Sequence, residues 1–215
     1  MIGTKGKSKG FTLIELIVVM TVFFLVIGTA IGIFISIVQH QKRILSEQEL
    51  LNQTSYVVEY MSKALRMAKK DDVGNCLVDE YGTSYPGYIY LLTRPISGFY
   101  TDIKFLNQSD LDALGNPVCQ EFYLDSSGST PVLKETKNGI PLDGTPLTSE
   151  KLNINSIRFG INGNNGCYGA GCVNGASKED SSQPRITIIL DVQVKAGSPA
   201  IKIQTTVSQR NLNVK

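Results

Sequence analysis

From Phe11 to Val38 the chain is apolar almost without a break, and Glu15 is the one formal charge in that run. About 28 residues in helical form reach about 42 Å, against a hydrocarbon core of about 30 Å, so the run can span a membrane with length to spare. Past it the pattern changes period rather than stopping. No glycine or proline occurs between His40 and Lys70, and Ile44, Leu51, Val58 and Leu65 recur every seven residues with Thr54, Met61 and Ala68 interleaved. Leu50, Val57 and Ala64 widen that stripe, while Lys42, Glu47, Glu49, Glu59 and Lys63 fall off it. The spacing predicts an amphipathic helix continuous with the apolar one. Lys69 and Lys70 suit the negative end of its dipole, Gly74 is the expected terminator, and the helix should end near Asp72.

After Gly74 short β-type runs alternate with clusters of Gly, Asn, Asp, Ser and Pro. Strands are predicted at Tyr88 to Thr93, around Phe99, Ile103 and Phe105, and at Val118 to Leu124. The C-terminal third has the clearest period of two. Ile186, Ile188, Leu190, Val192 and Val194 alternate with polar residues, and Ile201, Ile203, Thr205 and Val207 repeat the pattern after Ala196-Gly197-Ser198-Pro199, which predicts a hairpin. Ile154, Ile157, Phe159 and Ile161 mark a further strand whose phase slips at Asn155-Ser156, as a bulge would make it. The expected fold is α+β: a long N-terminal helix packed on an antiparallel sheet of about four strands. Between these strands, Asn162 to Pro184 reads as a surface loop and, by its length, a candidate contact region.

Composition adds a compartment. The chain has 215 residues and a formal charge of +2, enough for one membrane segment and one modest domain. Lys5, Lys7 and Lys9 precede the apolar run and predict that this end is cytoplasmic. Removing them from 21 basic side chains leaves 18 against 19 acidic ones, so bulk charge points to no nucleic-acid partner. Cys76, Cys119, Cys167 and Cys172 all fall on the far side, where disulfides are favoured. Cys167 and Cys172 share a glycine-bearing local loop and are the preferred pair, which leaves Cys76 for Cys119. Four cysteines allow three connectivities, and zinc is the rival reading, weak without a nearby histidine.

The junction Lys9-Gly10-Phe11-Thr12-Leu13-Ile14-Glu15 resembles the processing site of the type IV pilin and pseudopilin family. An ordinary secretory signal has a shorter apolar centre followed by small residues at the cut. The resemblance implies cleavage after Gly10 by a prepilin peptidase, methylation of the new N-terminus at Phe11, and retention of the helix in the product. It divides the chain into a leader at 1–10, a transmembrane helix at 11–38, an amphipathic helix at 39–73 and an extracytoplasmic β domain at 74–215. A carboxylate inside an apolar helix is costly and usually functional. Glu15 therefore needs water or a cation, and the Phe11 amine created by cleavage lies four residues back. The resemblance implies pairing between subunits, Glu15 of one chain with Phe11 of the next. A carboxylate that stays hydrated at headgroup level is the plainer alternative.

Elsewhere the chemistry is sparse. His40 is the single histidine and reads as a polar residue at the membrane interface. There is no Walker loop, no Gly-x-Ser-x-Gly elbow and no His-Glu-x-x-His pair, so no enzyme, cofactor or resident metal is expected. Asp71, Asp72, Asp79 and Glu80 flank Cys76 and could offer oxygens to calcium, as in some pseudopilins, but in no defined loop spacing. Tyr81, Tyr85, Tyr88 and Tyr90 could anchor an interface or pack a loop onto the sheet. Gly28 and Gly32 permit either bending or close helix packing.

The run Thr205 to Asn211 also resembles the ends of minor subunits. The partners implied are other pilins or pseudopilins, the prepilin peptidase, the inner-membrane assembly platform with its ATPase, and the lipid membrane before assembly. The implied location is the cytoplasmic membrane in a single pass, then a periplasmic or surface filament. A non-polymerising single-pass protein with an outer binding domain is the alternative, and a membrane-anchored enzyme a third.

Overall fold

The computed structural model describes residues 10–149, 152–163, 183–194 and 200–210. The chain divides into two units, Met1–Gln48 and Glu49–Lys215. A single helix, α1 (Leu13–Arg66), contributes to both. In the first unit it is a bare apolar surface, exposed at every position from Phe11 to Ile37. Two of its hydroxyls are satisfied internally: Thr21 donates to the Val18 carbonyl and Thr29 to that of Val26, each at 2.8 Å. At those two positions an apolar surrounding meets no unpaired donor. Polar surface begins farther on, where Arg43 pairs with Glu47 at 3.0 Å.

In the second unit α1 buries Leu50, Thr54, Val57, Met61, Ala64 and Leu65. All six belong to the expected stripe, but one edge of that stripe stays outside the core. Ile44 and Leu51 are exposed, while Leu50 is only 2 % exposed. Thr54 can face the core because its hydroxyl donates to the Leu50 carbonyl at 2.7 Å, which removes the cost of an unpaired donor.

The helix ends at Arg66, short of the expected Asp72, because the sheet captures the chain. Ala68–Lys69 (β1) pairs with Asn107 and Leu106 of β3 (Phe99–Leu111). The last helical carbonyls, orphaned in any helix, find remote donors instead of a local cap. Tyr90 donates its hydroxyl to Leu65 O at 2.7 Å, and the Arg210 N–H donates to Arg66 O at 2.8 Å. Gly74 serves the following loop rather than the helix. Its φ is 76°, and a Cβ there would collide with Ser84.

The remaining strands are β2 (Tyr90–Ile96), β4 (Pro117–Asp125), β5 (Val132–Lys137), β6 (Ile140–Pro146), β7 (Leu152–Asn162), β8 (Arg185–Val194) and β9 (Ile201–Ser208). All pairings are antiparallel, in the order β6-β5-β4-β3-β7-β8-β9, with β1 and β2 also on β3. Nine strands among the described residues correct the expectation of about four. The β8–β9 hairpin is as expected, and the β7 register shifts between Ile154 and Ser156, where the phase slip had been read.

The β5–β6 hairpin is the element the hydrophobic pattern did not announce. Glu135 occupies a core-side position in β5 and is only 8 % exposed, so the alternation there looks polar. The turn itself was legible. Asn138-Gly139, with φ of 51° and 72°, closes a two-residue loop between Lys137 and Ile140, and Asn-Gly is the strongest short hairpin signal. The core of this unit joins the helix stripe to Tyr90, Ile103, Phe105, Phe122, Ile157, Ile186 and their neighbours. Phe122 stands at its centre, edge-on to Tyr60 at 6.2 Å and tilted against Phe105 at 5.7 Å.

Candidate functional site

The N-terminal residues come first because the strongest sequence signal lies there. Lys5, Lys7 and Lys9 lie outside the described residues. Gly10, Phe11 and Thr12 precede α1 as non-helical chain, and Phe11 is 75 % exposed. The helix starts on Thr12, whose carbonyl accepts from Glu15 N–H at 3.1 Å and Leu16 N–H at 3.2 Å. Glu15 is thus in the first turn, where the positive end of the helix dipole favours a carboxylate. Thr12-x-x-Glu15 has the spacing of a capping box. A local reason for Glu15 thus stands beside the functional one. The Phe11 amine exists only after cleavage, so this chain brings Phe11 and Glu15 close in sequence and on an exposed surface without pairing them.

Gly28 and Gly32 sit within unbroken helix, and a Cβ added to either meets no atom within 4 Å. Among the described residues nothing packs closely on them. His40 is exposed on α1.

The loop after β1 is tightly built. A disulfide joins Cys76 to Cys119 of β4, across 43 positions in sequence, and closing a loop of that size contributes about 4 kcal/mol in the chain-entropy account. Cys167 and Cys172 lie outside the described residues. The buried Asp71 carboxylate accepts the N–H groups of Gly74, Cys76 and Leu77 at 2.8–2.9 Å. Asp79 accepts from the N–H groups of Tyr81 and Thr83 and from the Tyr85 hydroxyl. Desolvation pushes the Asp79 carboxyl up, but those hydrogen bonds outweigh it and hold it below the usual range. These two carboxylates are committed to shaping the loop. Among the described residues no three His, Cys, Asp or Glu side chains are grouped to hold a metal ion.

The four tyrosines divide. Tyr85 and Tyr88 pack edge to face at 5.8 Å. Tyr90 is in the core, its phenol pushed up by burial. Tyr81 is 90 % exposed.

Two buried polar groupings were not foreseen. Tyr60 on α1 donates to both Glu135 oxygens at 2.9 and 3.0 Å, Gln120 donates to Glu135 at 2.8 Å, and Asn107 donates to Gln120 at 2.8 Å. Burial first, then the Glu135 carboxylate, pushes the Tyr60 phenol up. The network ties the helix to β3, β4 and β5 with hydrogen bonds in place of apolar contact. Farther along β3, the Asp102 side chain is fully buried, with Arg94 Nε 3.1 Å from Oδ2. That approach is not aligned as a hydrogen bond, and Oδ2 has no hydrogen-bond partner among the described residues. Desolvation pushes the Asp102 carboxyl up to about 6, against the opposing effect of Arg94. Arg94 itself has φ of 53°, a conformation costly for a side chain of its size, and lies over the Tyr123 ring at 5.3 Å.

A model of the prokaryotic N-terminal methylation motif matches residues 5–31. No curated protein and no solved structure matches the chain. The chain therefore carries a motif for N-terminal methylation on a helix apolar enough to enter a membrane, followed by a helical stripe packed on an antiparallel sheet. Over residues 5–31 the chain is similar to type IV pilin-like proteins.

Proposed function

We propose that this chain is a structural subunit, in a minor position, of a type IV pilus or a type II secretion-like pseudopilus. The observation that carries the reading is the methylation motif at residues 5–31 on a helix whose apolar surface is covered by none of the other described residues. The leader at 1–10 is removed by the prepilin peptidase after Gly10, Phe11 is methylated, and 11–38 holds the protein in the cytoplasmic membrane. The amphipathic part of the helix, ending at Arg66, leads into an extracytoplasmic head. An inner-membrane platform and its ATPase then move the subunit into a filament, where contact with neighbouring helices replaces lipid. An apolar surface serves both surroundings. Glu15 meets the Phe11 ammonium of an adjacent subunit, which offsets the cost of a carboxylate away from water. The helix start adds to this by favouring negative charge in its first turn.

N-terminal mass analysis of the protein from its own membrane tests the processing step. A product beginning at methylated Phe11 is expected, and an intact Met1 terminus overturns the reading. Glu15→Ala is expected to leave processing intact and to reduce incorporation into filaments. Wild-type incorporation would remove the intersubunit pairing. The second reading, a single-pass protein with an outer binding domain that never polymerises, predicts indifference to Gly10→Ala.

A further inference from the structure

A cleft of about 900 Å³ opens where the end of α1 meets the last residues of β9. Lys63 and Arg66 enter it from one face of the helix, and Arg210 enters from the chain just past β9. Arg210 is fastened there by its backbone, through its N–H on Arg66 O at 2.8 Å and the neighbouring Gln209 amide on Ala68 O at 2.8 Å. Its side chain takes no part in either bond. Among the described residues none of the three cations has an ion-pair partner. Glu59 is the one carboxylate on the lining, and the hydroxyls of Ser62, Thr206 and Ser208 complete a polar wall beside Met67. Lys63 and Arg66 on their own would be explained by the helix dipole. Arg210 is not on the helix, and its convergence makes the cleft a receptor for negative charge.

The same head presents the complementary chemistry elsewhere. Between Asp72 and Tyr81 the chain is clamped by the Cys76–Cys119 disulfide and by the three N–H groups on Asp71. From this stiff loop project Val73, 72 % exposed, and Tyr81, 90 % exposed, together with the exposed carboxylates of Asp72 and Glu80. An acidic loop with an aromatic end fits a basic cleft whose lining includes a methionine.

We propose that the cleft of Lys63, Arg66 and Arg210 receives an acidic loop from a neighbouring pilin-like subunit. The proposal rests on the filament reading above. Because the receptor and the loop are different surfaces, the contact is heterologous, and repetition of such contacts builds an open helical array where the rotation between subunits does not close. This chain's own Asp72–Tyr81 loop is the form such a donor takes.

The full-length chain in its own cells, with the photo-crosslinker p-benzoyl-phenylalanine replacing Ser62, provides the test. Irradiation of assembled filaments is expected to join position 62 to a pilin-like subunit, through a peptide carrying two or more carboxylates. Lys63→Glu with Arg210→Glu should lower the adduct yield about tenfold. Glu59→Lys, at an exposed position, should raise it, so the outcome does not depend on the double variant folding. Adducts to lipid, to nucleic acid or to a segment without carboxylates overturn the proposal, as do yields indifferent to both charge changes. A chain processed at Gly10 and incorporated, but crosslinked elsewhere, removes the cleft contact alone. A chain that keeps Met1 and enters no filament removes both readings.

Discussion

One helix carries two kinds of surface, and the contrast between them separates what this chain does for itself from what it leaves to others. Over Leu13–Gln48 no side chain is buried, although most of them are apolar. Over Glu49–Arg66 six residues are buried in a stripe that joins the core of the sheet. Both stretches are helical throughout. What differs is the distribution of apolar residues: all round in the first, confined to one side in the second. Among the described residues nothing covers the first stretch, whereas the second is finished within the head.

The largest effect that would break this contrast is a change in aromatic packing. Phe122→Ala removes a fully buried ring at the centre of the head and is expected to cost about 3–5 kcal/mol. Phe24→Ala removes a ring that is 66 % exposed and should leave unfolding of the head unchanged. Thermal unfolding of the full chain in detergent micelles, followed by near-ultraviolet circular dichroism, measures both. Equal losses would mean that the head depends on the apolar helix for its core.

A finer comparison lies within the helix, at two adjacent leucines. Leu50 is 2 % exposed and Leu51 is 46 % exposed. Leu50→Ala should therefore cost about 2–4 kcal/mol, and Leu51→Ala less than about 1 kcal/mol. The reverse order would restore the stripe that the seven-residue spacing of Ile44, Leu51, Val58 and Leu65 implied. The expected stripe found the right helix and contained every residue that α1 buries, Thr54 among them, whose hydroxyl is satisfied by its own helix. Its error was to give weight to the large apolar side chains of Ile44 and Leu51, which are exposed.

The same bias explains which strands were legible. The β8–β9 hairpin and the bulge in β7 follow from β-branched residues alternating against one core. In β5 the inward positions include Glu135, held by Tyr60 and Gln120, and those partners come from distant parts of the chain. No local pattern can announce them. The end of α1 failed for a related reason: Lys69 and Lys70 suit a helix terminus, but pairing of β1 with β3 and the donors on Tyr90 and Arg210 fix the stop at Arg66. At the N-terminus the signal is local and chemical, and the matched methylation motif spans the seven consecutive residues from Lys9 to Glu15. The basic cleft could not be read locally, since Lys63 and Arg210 are remote in sequence.

The smallest of these effects concerns two carboxylates in opposite situations. Glu15 lies on the exposed apolar helix, whereas Asp102 lies within the head with its side chain fully buried. Desolvation raises the Asp102 pKa to about 6 in the folded head, against about 3.9 for an unfolded chain. Between those values the native state holds a proton that the unfolded state has released, so this group's contribution to stability falls as pH rises through the window and is lowest above about 6. A difference of this size corresponds to about 3 kcal/mol at most. Asp102→Asn removes the charge while keeping an acceptor for the Leu124 N–H, which lies 3.4 Å from the carboxylate. It also deprives Arg94 of its counter-charge, but that side chain is 55 % exposed and is readily hydrated. The net gain expected at pH 8 is about 1–2 kcal/mol, shrinking towards zero near pH 4. Denaturant midpoints for both proteins at pH 4, 6 and 8 measure it. A variant less stable than wild type at pH 8 would show that the Arg94 pair outweighs the burial of the carboxylate, and that the head, unlike the bare helix, holds a net-favourable charge in its interior.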